Sequence, residues 1–187
     1  MMTKKTKKIL TLPAVENQLL ELRAGDMVEL SGTILTGRDA AHKRMMEYLD
    51  KGEALPFDIV NQGIYYTGPC PAGPGKIIGS CGPTTSYRMD SYTPRLLDLG
   101  LKVMIGKGQR SPEVIEAMKR NGAVYLAAVG GAAALIAQCV KKAEVLAFED
   151  LGPEAVYQLQ VENLPLITAT DCRGNNLYEI GPSKYKL

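Results

Sequence analysis

Helical and strand-like segments alternate along the chain after Thr84, and this pattern constrains the fold more than any other feature of the sequence. After a helical stretch to about Leu99, the alternation continues through LKVMIG, SPEVIEAMKRNG, AVYLAAV, the apolar AAALIAQCV, VLAFED, PEAVYQLQVEN and LPLITATD. Strands separated by helices are typical of βαβ units, whose strands run parallel. The alternation therefore predicts a mostly parallel sheet with helices packed on it.

The first third of the chain is richer in strands. KILTLP and the β-branched run at residues 27–36 predict two strands, and a further strand, KIIG, follows the breaker-rich loop GPCPAGPGK. The first clear helix is RDAAHKRMMEYLDKG, residues 38–52, with a glycine stop at Gly52. Its apolar face comprises Ala41, Met45 and Leu49. The predicted class is α/β, with a strand-rich first third packed with a mostly parallel α/β layer.

Two shorter signals mark the ends of elements. Ser111 and Pro112 predict a helix start, because serine accepts a backbone N–H at the N-cap and proline suits the first helical position. After Asp171, the Gly-Asn-Asn stretch at residues 174–176 predicts a turn and a last short strand.

Length and charge indicate the domain organisation. A chain of 187 residues suits one domain, so we predict a single domain at residues 9–187. Residues 1–8, MMTKKTKK, are predicted to be a basic flexible arm. Without this arm the charge is close to balanced, and no basic stripe with interleaved aromatic residues indicates nucleic-acid binding.

The apolar runs and the cysteines indicate where the protein is located and whether it has disulfides or a metal site. No apolar run approaches the roughly 18 residues that span a bilayer, and the start lacks the apolar region of a signal peptide, so we expect a cytoplasmic protein without membrane contact. Cys70, Cys81, Cys139 and Cys172 lack the paired spacing of a zinc site or a disulfide framework. We expect reduced thiols and no metal site on this chain.

Three glycine-bounded turns deliver a cation or a hydroxyl at the end of a strand-like segment. They are Gly37-Arg38 after TILT, the segment from Gly82 to Arg88 after KIIG, and Gly106-Lys107-Gly108 after KVMI. Open α/β sheets bind ligands at strand ends beside helix starts, where backbone N–H groups and guanidinium groups suit carboxylates or phosphates. The three turns predict an anion site.

Thr84 and Thr85 allow two interpretations. Either hydroxyl could be the N-cap of the following helix, which is a structural role. Alternatively, Thr84 and Arg88 are four residues apart, so on a helix they share one face and can reach the same ligand. The residues alone leave both interpretations open.

Other catalytic motifs fail on inspection. GPCPAGPGKI lacks the first glycine and the Ser or Thr of a phosphate-binding Walker loop, and GKGQRS lacks the third glycine of a dinucleotide-binding motif. His42, the only histidine, has no nearby nucleophile in the sequence. The sequence therefore gives no support for nucleotide binding or for a Ser-His-Asp triad.

Three motifs, in this order, resemble one enzyme family: SGTILTGRDAAHKRM, GPCPAGPGKIIGSCGPTTSYRMD and VMIGKG. The chain resembles the β subunit, or C-terminal domain, of class I iron–sulfur-dependent fumarate hydratases and the related L-tartrate dehydratases. The resemblance covers nearly the whole chain after the basic arm. It implies a swivelling β/β/α domain, and a [4Fe-4S] cluster that a separate α chain ligates and that this chain does not bind alone.

The resemblance also implies roles for individual residues. Arg38, Arg88 and Lys107 would bind the carboxylates of a four-carbon dicarboxylate, and Thr84 would be the base that takes the proton beside the leaving hydroxyl. His42 would contact either the substrate or a residue that binds it. Thr85 would contact a substrate-binding residue without touching the substrate. Such a chain would catalyse the reversible hydration of fumarate to L-malate, as a hydro-lyase active only with the α subunit.

Two alternatives remain beside that function. The first is an L-tartrate dehydratase β subunit, because both substrates present two carboxylates and a leaving hydroxyl, and Tyr87 stands where smaller residues are common in fumarate hydratases. The second is a non-catalytic dicarboxylate-binding domain. The resemblance implies an α2β2 heterotetramer with a cluster-bearing α subunit, with self-association of β chains as a further option.

Overall fold

The structure is a computed structural model that describes residues 7–183. Its strands are β1 (Lys8–Leu12), β2 (Met27–Thr36), β3 (Gly63–Tyr65), β4 (Val103–Gly106), β5 (Val124–Ala127), β6 (Val140–Ala147) and β7 (Val156–Thr170). Its α-helices are α1 (Glu16–Leu20), α2 (Asp39–Asp50), α3 (Thr93–Asp98), α4 (Pro112–Asn121), α5 (Ala133–Cys139) and α6 (Leu177–Ser183). Two 3-10 turns lie at Ser86–Met89 and Glu149–Glu154.

Strands β1 to β5 form a parallel sheet in sequence order. Strand β7 runs antiparallel to β5, to β2 and to the edge strand β6. Because β7 pairs with both β5 and β2, the ladder β2–β3–β4–β5–β7 returns to its first strand and forms a closed circuit.

Side chains of the parallel strands point alternately into two apolar cores. Val103 and Ile105 of β4 lie in one core, which β1, β7 and α5 cover, while Met104 lies in the other. The second core is covered by helices α2, α3 and α4, with Met45 and Met118 fully buried in it. The molecule is therefore a mixed α/β protein in which α2, α3 and α4 cover one face of the parallel sheet and β7 and α5 cover the other.

Several sequence predictions are confirmed. Strand β2 has the predicted bounds, and β1 begins at the first residue of KILTLP and ends one residue before its proline. Helices α2 and α4 lie where they were predicted, and the Ser111 hydroxyl accepts a 3.4 Å hydrogen bond from the Val114 N–H as the N-cap of α4. These elements carry strong local patterns, which explains why the sequence alone locates them.

Other predictions are wrong. KIIG, residues 76–79, is an irregular loop rather than a strand. PEAVYQLQVEN does not form a separate helix, since residues 156–170 make the single strand β7. The predicted continuous helix from Thr84 to Leu99 is a 3-10 turn followed by the short α3. The last element after Asp171 is helix α6 instead of a strand.

The parallel layer also differs in position from the prediction. Parallel pairing already begins with β1 and β2 in the first third, whereas β6 and β7, in the last third, are antiparallel to their neighbours. Most of the predicted basic arm, residues 1–6, lies outside the described residues; of the rest, Lys7 pairs with Glu29 and Lys8 begins β1. Among residues 7–183, no helix is long and apolar enough to cross a membrane.

Candidate active site

The candidate site lies at the carboxyl ends of the parallel strands. β2 ends at Thr36, two residues before Arg38, and β4 ends at Gly106, directly before Lys107. Because β2, β3 and β4 are parallel, their carboxyl ends meet at one edge of the sheet. The fold therefore brings Arg38 and Lys107 to the same edge, as the sequence predicted for an anion site.

Thr84 lies beside Lys107 in extended backbone. The Thr84 N–H donates a 2.6 Å hydrogen bond to the carbonyl of Tyr66, which follows β3, and the Thr84 carbonyl accepts a 3.3 Å hydrogen bond from the Lys107 N–H. The Ser86 N–H donates to the Lys107 carbonyl at 2.8 Å. The backbone thus extends the sheet by one short parallel bridge, between Thr85 and Lys107.

This geometry corrects the helical interpretations of Thr84 and Thr85. The 3-10 turn begins at Ser86, and Thr85 at its N-cap makes no side-chain capping hydrogen bond. Thr84 precedes the turn, so it does not share a helix face with Arg88. In the described part of the chain the Thr84 hydroxyl has no hydrogen-bond partner, and the residue is half-buried. The hydroxyl is thus free for another molecule.

Gly106 permits the close approach of the two segments. A Cβ atom at this position would lie 2.1 Å from the Ser86 Oγ atom and 2.9 Å from the Tyr66 ring. No larger residue fits there without moving the segment that carries Thr84. The glycine that precedes Lys107 is therefore needed for packing between the strand and the threonine segment.

Arg38 and Arg88 are held together by Asp39. The Arg88 Nε–H donates a 2.8 Å hydrogen bond to Asp39 Oδ1, and the Arg38 Nε lies 3.4 Å from Asp39 Oδ2. Glu154 lies on the other side, with Oε1 3.5 Å from the Arg38 Nε and Oε2 accepting a 2.9 Å hydrogen bond from the Ala40 N–H. Two carboxylates therefore orient the two guanidinium groups at the start of α2.

Gly68 makes room for Arg38. A Cβ atom at Gly68 would lie 3.1 Å from the Arg38 Cδ atom and 3.0 Å from the Pro153 carbonyl oxygen. The loop after β3 and the loop before β7 thus enclose the side chain of Arg38, which keeps 27% of its surface exposed.

His42 supports the backbone of Arg38. Because a carbonyl only accepts, the His42 Nδ1 must carry the proton in its 3.0 Å hydrogen bond to the Arg38 carbonyl. His42 is fully buried, with its ring 5.4 Å from the Tyr66 ring and 6.0 Å from the Tyr92 ring. This burial lowers the pKa of His42 to about 4, so the imidazole is neutral at pH 7. Its Nε2 atom has no partner among the described residues.

The site combines excess positive charge with a hydroxyl. Lys107 is exposed, and its ammonium group pairs with no carboxylate among residues 7–183. Arg38 and Arg88 share Asp39, Glu154 pairs with Arg38, and the Arg88 side chain is 44% exposed. The arrangement therefore suits a small anion near the Thr84 segment.

Sequence analysis missed the acidic partners of the site. Asp39 belongs to the quoted GRDAAH motif, and its position beside Arg38 was the available signal. Glu154 gave no comparable signal, since it reaches Arg38 from a loop more than a hundred residues away in the chain. Asp90 and Arg110, which form a buried ion pair beneath the site, were missed for the same reason.

The cysteines do not form a site for a [4Fe-4S] cluster, which is held by several cysteine thiolates. Cys70 is exposed and Cys81 is buried, and burial raises the pKa of the Cys81 thiol to about 11. Among the residues that the structure describes, no group of three or more His, Cys, Asp or Glu side chains could hold a metal ion. The chain's own residues therefore do not fit the cluster, and the roles below are assigned without it.

Comparison with known proteins shows which family the chain belongs to. The family model described as fumarase C-terminus matches residues 1–181. The chain is 40% identical over 164 residues to the aerobic class I fumarate hydratase of Salmonella typhimurium, covering 87% of this chain and 28% of that protein. It is 40% identical over 166 residues to fumarate hydratase 2 of Leishmania major, covering 88% of this chain and 29% of that protein.

A further relative has a length close to that of this chain. This protein of Methanocaldococcus jannaschii carries the provisional name L(+)-tartrate dehydratase subunit beta; it is 42% identical over 165 residues, covering 85% of both chains. By contrast, the chain spans less than a third of the fumarate hydratases named above. The resemblance that the three motifs predicted is confirmed, and the chain belongs to the fumarase C-terminus family.

Proposed function

We propose that the chain is the β subunit of a hydro-lyase that reversibly hydrates fumarate to L-malate, with its [4Fe-4S] cluster on a separate α chain. The observation that carries the proposal is the meeting of Arg38, Arg88, Lys107 and the Thr84 segment at the carboxyl ends of parallel strands. Membership of the fumarase C-terminus family supports it further.

In this proposal the three cations bind the two substrate carboxylates. Guanidinium groups bind carboxylates through two parallel hydrogen bonds, whereas the Lys107 ammonium group acts as a compact charge. Arg38 and Arg88 keep their Nη atoms for the substrate, because the contacts with Asp39 and Glu154 are made through Nε. The same cations stabilise the negative charge that builds up on a carboxylate when the neighbouring carbon loses its proton.

Thr84 takes that proton. In the dehydration of malate, the C–H electron pair forms the double bond as the C–O bond breaks, and the hydroxyl leaves as water after protonation. In the holoenzyme, the cluster of the α chain would supply Lewis-acid chemistry for the leaving hydroxyl. The Thr84 hydroxyl is a weak base in water, so it needs nearby cations that favour its alkoxide, a role that we assign to Lys107 and Arg88.

The same site suits L-tartrate, which would lose water to give oxaloacetate. The relative in Methanocaldococcus jannaschii, named as a tartrate dehydratase β subunit, is matched over most of its length. Identities of 40% and 42% to the two kinds of relative do not separate the substrates. Tartrate dehydration is therefore the second candidate function, and dicarboxylate binding without catalysis is the third.

The proposal includes the organisation of the enzyme. Residues 9–187 form one swivelling β/β/α domain, and a sheet whose parallel part has α2, α3 and α4 on one face and β7 with α5 on the other supports this architecture. The holoenzyme is a cytoplasmic α2β2 heterotetramer, and β chains have the option of self-association. The name of the Methanocaldococcus jannaschii relative, which specifies a β subunit, supports a multi-subunit enzyme.

The experiment is an anaerobic assay of fumarate hydration and of L-tartrate dehydration. Three samples are compared: this chain, a cluster-bearing α chain from the same genome, and their mixture. We expect activity only in the mixture, with a kcat/KM at least tenfold higher for fumarate than for tartrate. The iron content of the α chain and its visible absorption serve as the control for an intact cluster.

The outcomes separate the candidate functions. A preference for tartrate would replace the first function by the second. No activity with an intact α-chain cluster, together with dicarboxylate binding by this chain alone, would favour the binding domain. Activity of this chain alone would contradict the division of the site between two chains.

A further inference from the structure

A fully buried arginine lies beneath the candidate site. The side chain of Arg110 has no exposed surface, and its Nε–H donates a 2.7 Å hydrogen bond to Asp90 Oδ1. Its Nη1 donates to the Tyr66 hydroxyl at 3.1 Å, and its Nη2 donates to Thr93 Oγ1 at 2.8 Å. The guanidinium group also lies over the rings of Tyr66 and Tyr125, 5.1 Å and 5.2 Å from their centres.

The partners of Arg110 belong to the segments that carry the site. Asp90 directly follows the 3-10 turn that contains Arg88, and its Oδ2 accepts a 2.6 Å hydrogen bond from the Ser111 N–H. Tyr66 accepts from Arg110 through its hydroxyl and holds the Thr84 N–H through its carbonyl. One guanidinium group therefore connects the Arg88 turn, the Thr84 segment and the loop that begins with Lys107.

Tyr125, whose ring also lies against the Arg110 guanidinium group, adds a further connection. The Tyr125 hydroxyl donates a 2.9 Å hydrogen bond to the Gly108 carbonyl and lies 2.8 Å from Ser86 Oγ. Gly108 directly follows Lys107, and Ser86 lies two residues after Thr84. Tyr125 thus joins the same two segments directly.

Removing a guanidinium group from water has a large desolvation cost, and apolar residues of similar volume often stabilise a fold as well as a buried ion pair does. The core beneath the site could therefore have been filled by apolar side chains. A planar guanidinium group instead donates hydrogen bonds in fixed directions to several acceptors at once. This property matters where three backbone segments must keep a set spacing.

We infer that Arg110 is a positioning residue, which sets the spacing of Lys107, Arg88 and Thr84 without touching the substrate. The inference rests on the proposed function for the identity of the ligand. Without the Arg110 guanidinium group, Lys107, Arg88 and Thr84 are still present, but the hydrogen bonds that hold their segments together are lost. Weaker binding of the dicarboxylate follows, because the cations no longer match the spacing of its carboxylates.

The test compares Arg110→Lys with Met118→Ala in the mixed enzyme. Lysine keeps the positive charge but cannot donate to Asp90, Tyr66 and Thr93 in the arginine geometry. Met118 is fully buried in α4 and makes a control for lost core stability without touching the network. The measurements are the melting temperature, kcat and KM for the active substrate, and the Kd of succinate as a non-reacting dicarboxylate.

We expect Arg110→Lys to raise both KM and the Kd of succinate about tenfold. Met118→Ala should lower the melting temperature at least as much as Arg110→Lys does, but its KM and its Kd for succinate should stay within twofold of the wild-type values. A purely structural role for Arg110 would reduce the amount of active enzyme and leave KM unchanged. An Arg110→Lys protein with wild-type KM and Kd would therefore overturn the inference.

Tyr66→Phe provides a second variant if Arg110→Lys does not fold. It removes only the hydroxyl that accepts from Arg110, and we expect KM to rise about threefold; an unchanged KM would overturn the inference. A wild-type mixture that is inactive on fumarate and tartrate but binds succinate would contradict the proposed function, and the Kd values would still decide the role of Arg110. A wild-type mixture that neither reacts nor binds succinate would overturn both.

Discussion

Asp39 accepts a 2.8 Å hydrogen bond from the Nε–H of Arg88, a residue 49 positions later in the chain. The other oxygen of the same carboxylate lies 3.4 Å from the Nε of its neighbour Arg38. A carboxylate between two proposed substrate-binding cations restrains both guanidinium groups through Nε, and their Nη atoms make no hydrogen bond to a carboxylate among residues 7–183. Asp39 therefore orders the site before any substrate arrives.

Asp39→Asn is expected to lower kcat/KM about tenfold, because an amide restrains the two guanidinium groups less strongly than a carboxylate does. A partly exposed ion pair contributes only about 0–1 kcal/mol to stability, so the melting temperature should change little. Steady-state kinetics of the mixed enzyme would measure the effect. Asp50→Asn, at the far end of α2, removes an exposed ion pair with Arg95 and is the matched control. A higher kcat/KM in Asp39→Asn would show that Asp39 competes with the substrate.

Thr84→Ala is expected to lower kcat at least a hundredfold, which is the usual lower range for the loss of a positioned acid or base. Thr84→Ser keeps a hydroxyl and should retain a measurable part of kcat. The control is Thr33→Ala, since Thr33 lies on the exposed part of β2 and hydrogen-bonds only Gln160 through its side chain. Unchanged kcat in Thr84→Ala would remove Thr84 from the reaction.

Gly106→Ala is expected to destabilise the chain by about 1–3 kcal/mol, the usual cost of overpacking a closely packed position. The new methyl group would lie 2.1 Å from Ser86 Oγ, so the Thr84 segment must move and activity should fall as well. Urea unfolding of the chain would measure the stability. Gly181→Ala, where the added atom meets nothing within 4 Å among residues 7–183, is the control. Equal stability of the two variants would contradict the close approach at Gly106.

His42 predicts a pH dependence of stability. Burial lowers its pKa from 6.5 to about 4 in the folded chain, so between these values the unfolded chain binds the proton and the folded chain does not. The stabilisation is complete above pH 6.5 and is lost as the pH falls toward 4, reaching a loss of about 2 kcal/mol by pH 5. Urea unfolding at pH 7.5, 6 and 5 would measure this slope.

The matched variant for this slope is His42→Gln, which cannot titrate and keeps a donor for the Arg38 carbonyl. We expect a flatter profile between pH 7.5 and 5, since His42 is the only histidine in the chain. Parallel profiles for the wild type and the variant would show that His42 is not buried in its neutral form.

Local patterns in the sequence located the elements whose burial is periodic along the chain. In α4 a serine cap, a proline and a buried face at Val114, Ala117 and Met118 all indicate a helix. The segment PEAVYQLQVEN was predicted to be a helix because residues such as Glu154, Gln158 and Gln160 are compatible with one. From Val156 it is instead a strand, because it pairs with β2 on one side and with β6 on the other. The strand predicted at KIIG is absent because a strand-like composition does not form a strand without a neighbouring strand to pair with.

The candidate site was predictable in composition but not in geometry. The glycine-bounded turns and the family motifs identified Arg38, Thr84, Arg88 and Lys107, and their roles remain predictions. The extended backbone of Thr84 could not be foreseen, since it depends on the carbonyl of Tyr66 and the N–H of Lys107 in other parts of the chain. Asp90 and Arg110 gave no local signal because a buried ion pair has no sequence spacing of its own.

The closed circuit of strands determines where the backbone can open without global unfolding. Amide protons in a ladder that is bonded on both sides exchange with solvent only when neighbouring strands separate as well. Within residues 7–183, β2 and β7 each pair with three other strands, while β6 pairs only with β7. Deuterium should therefore enter β6 quickly and the middle of β2 last, so that the strand leading to Arg38 opens only when the whole circuit does.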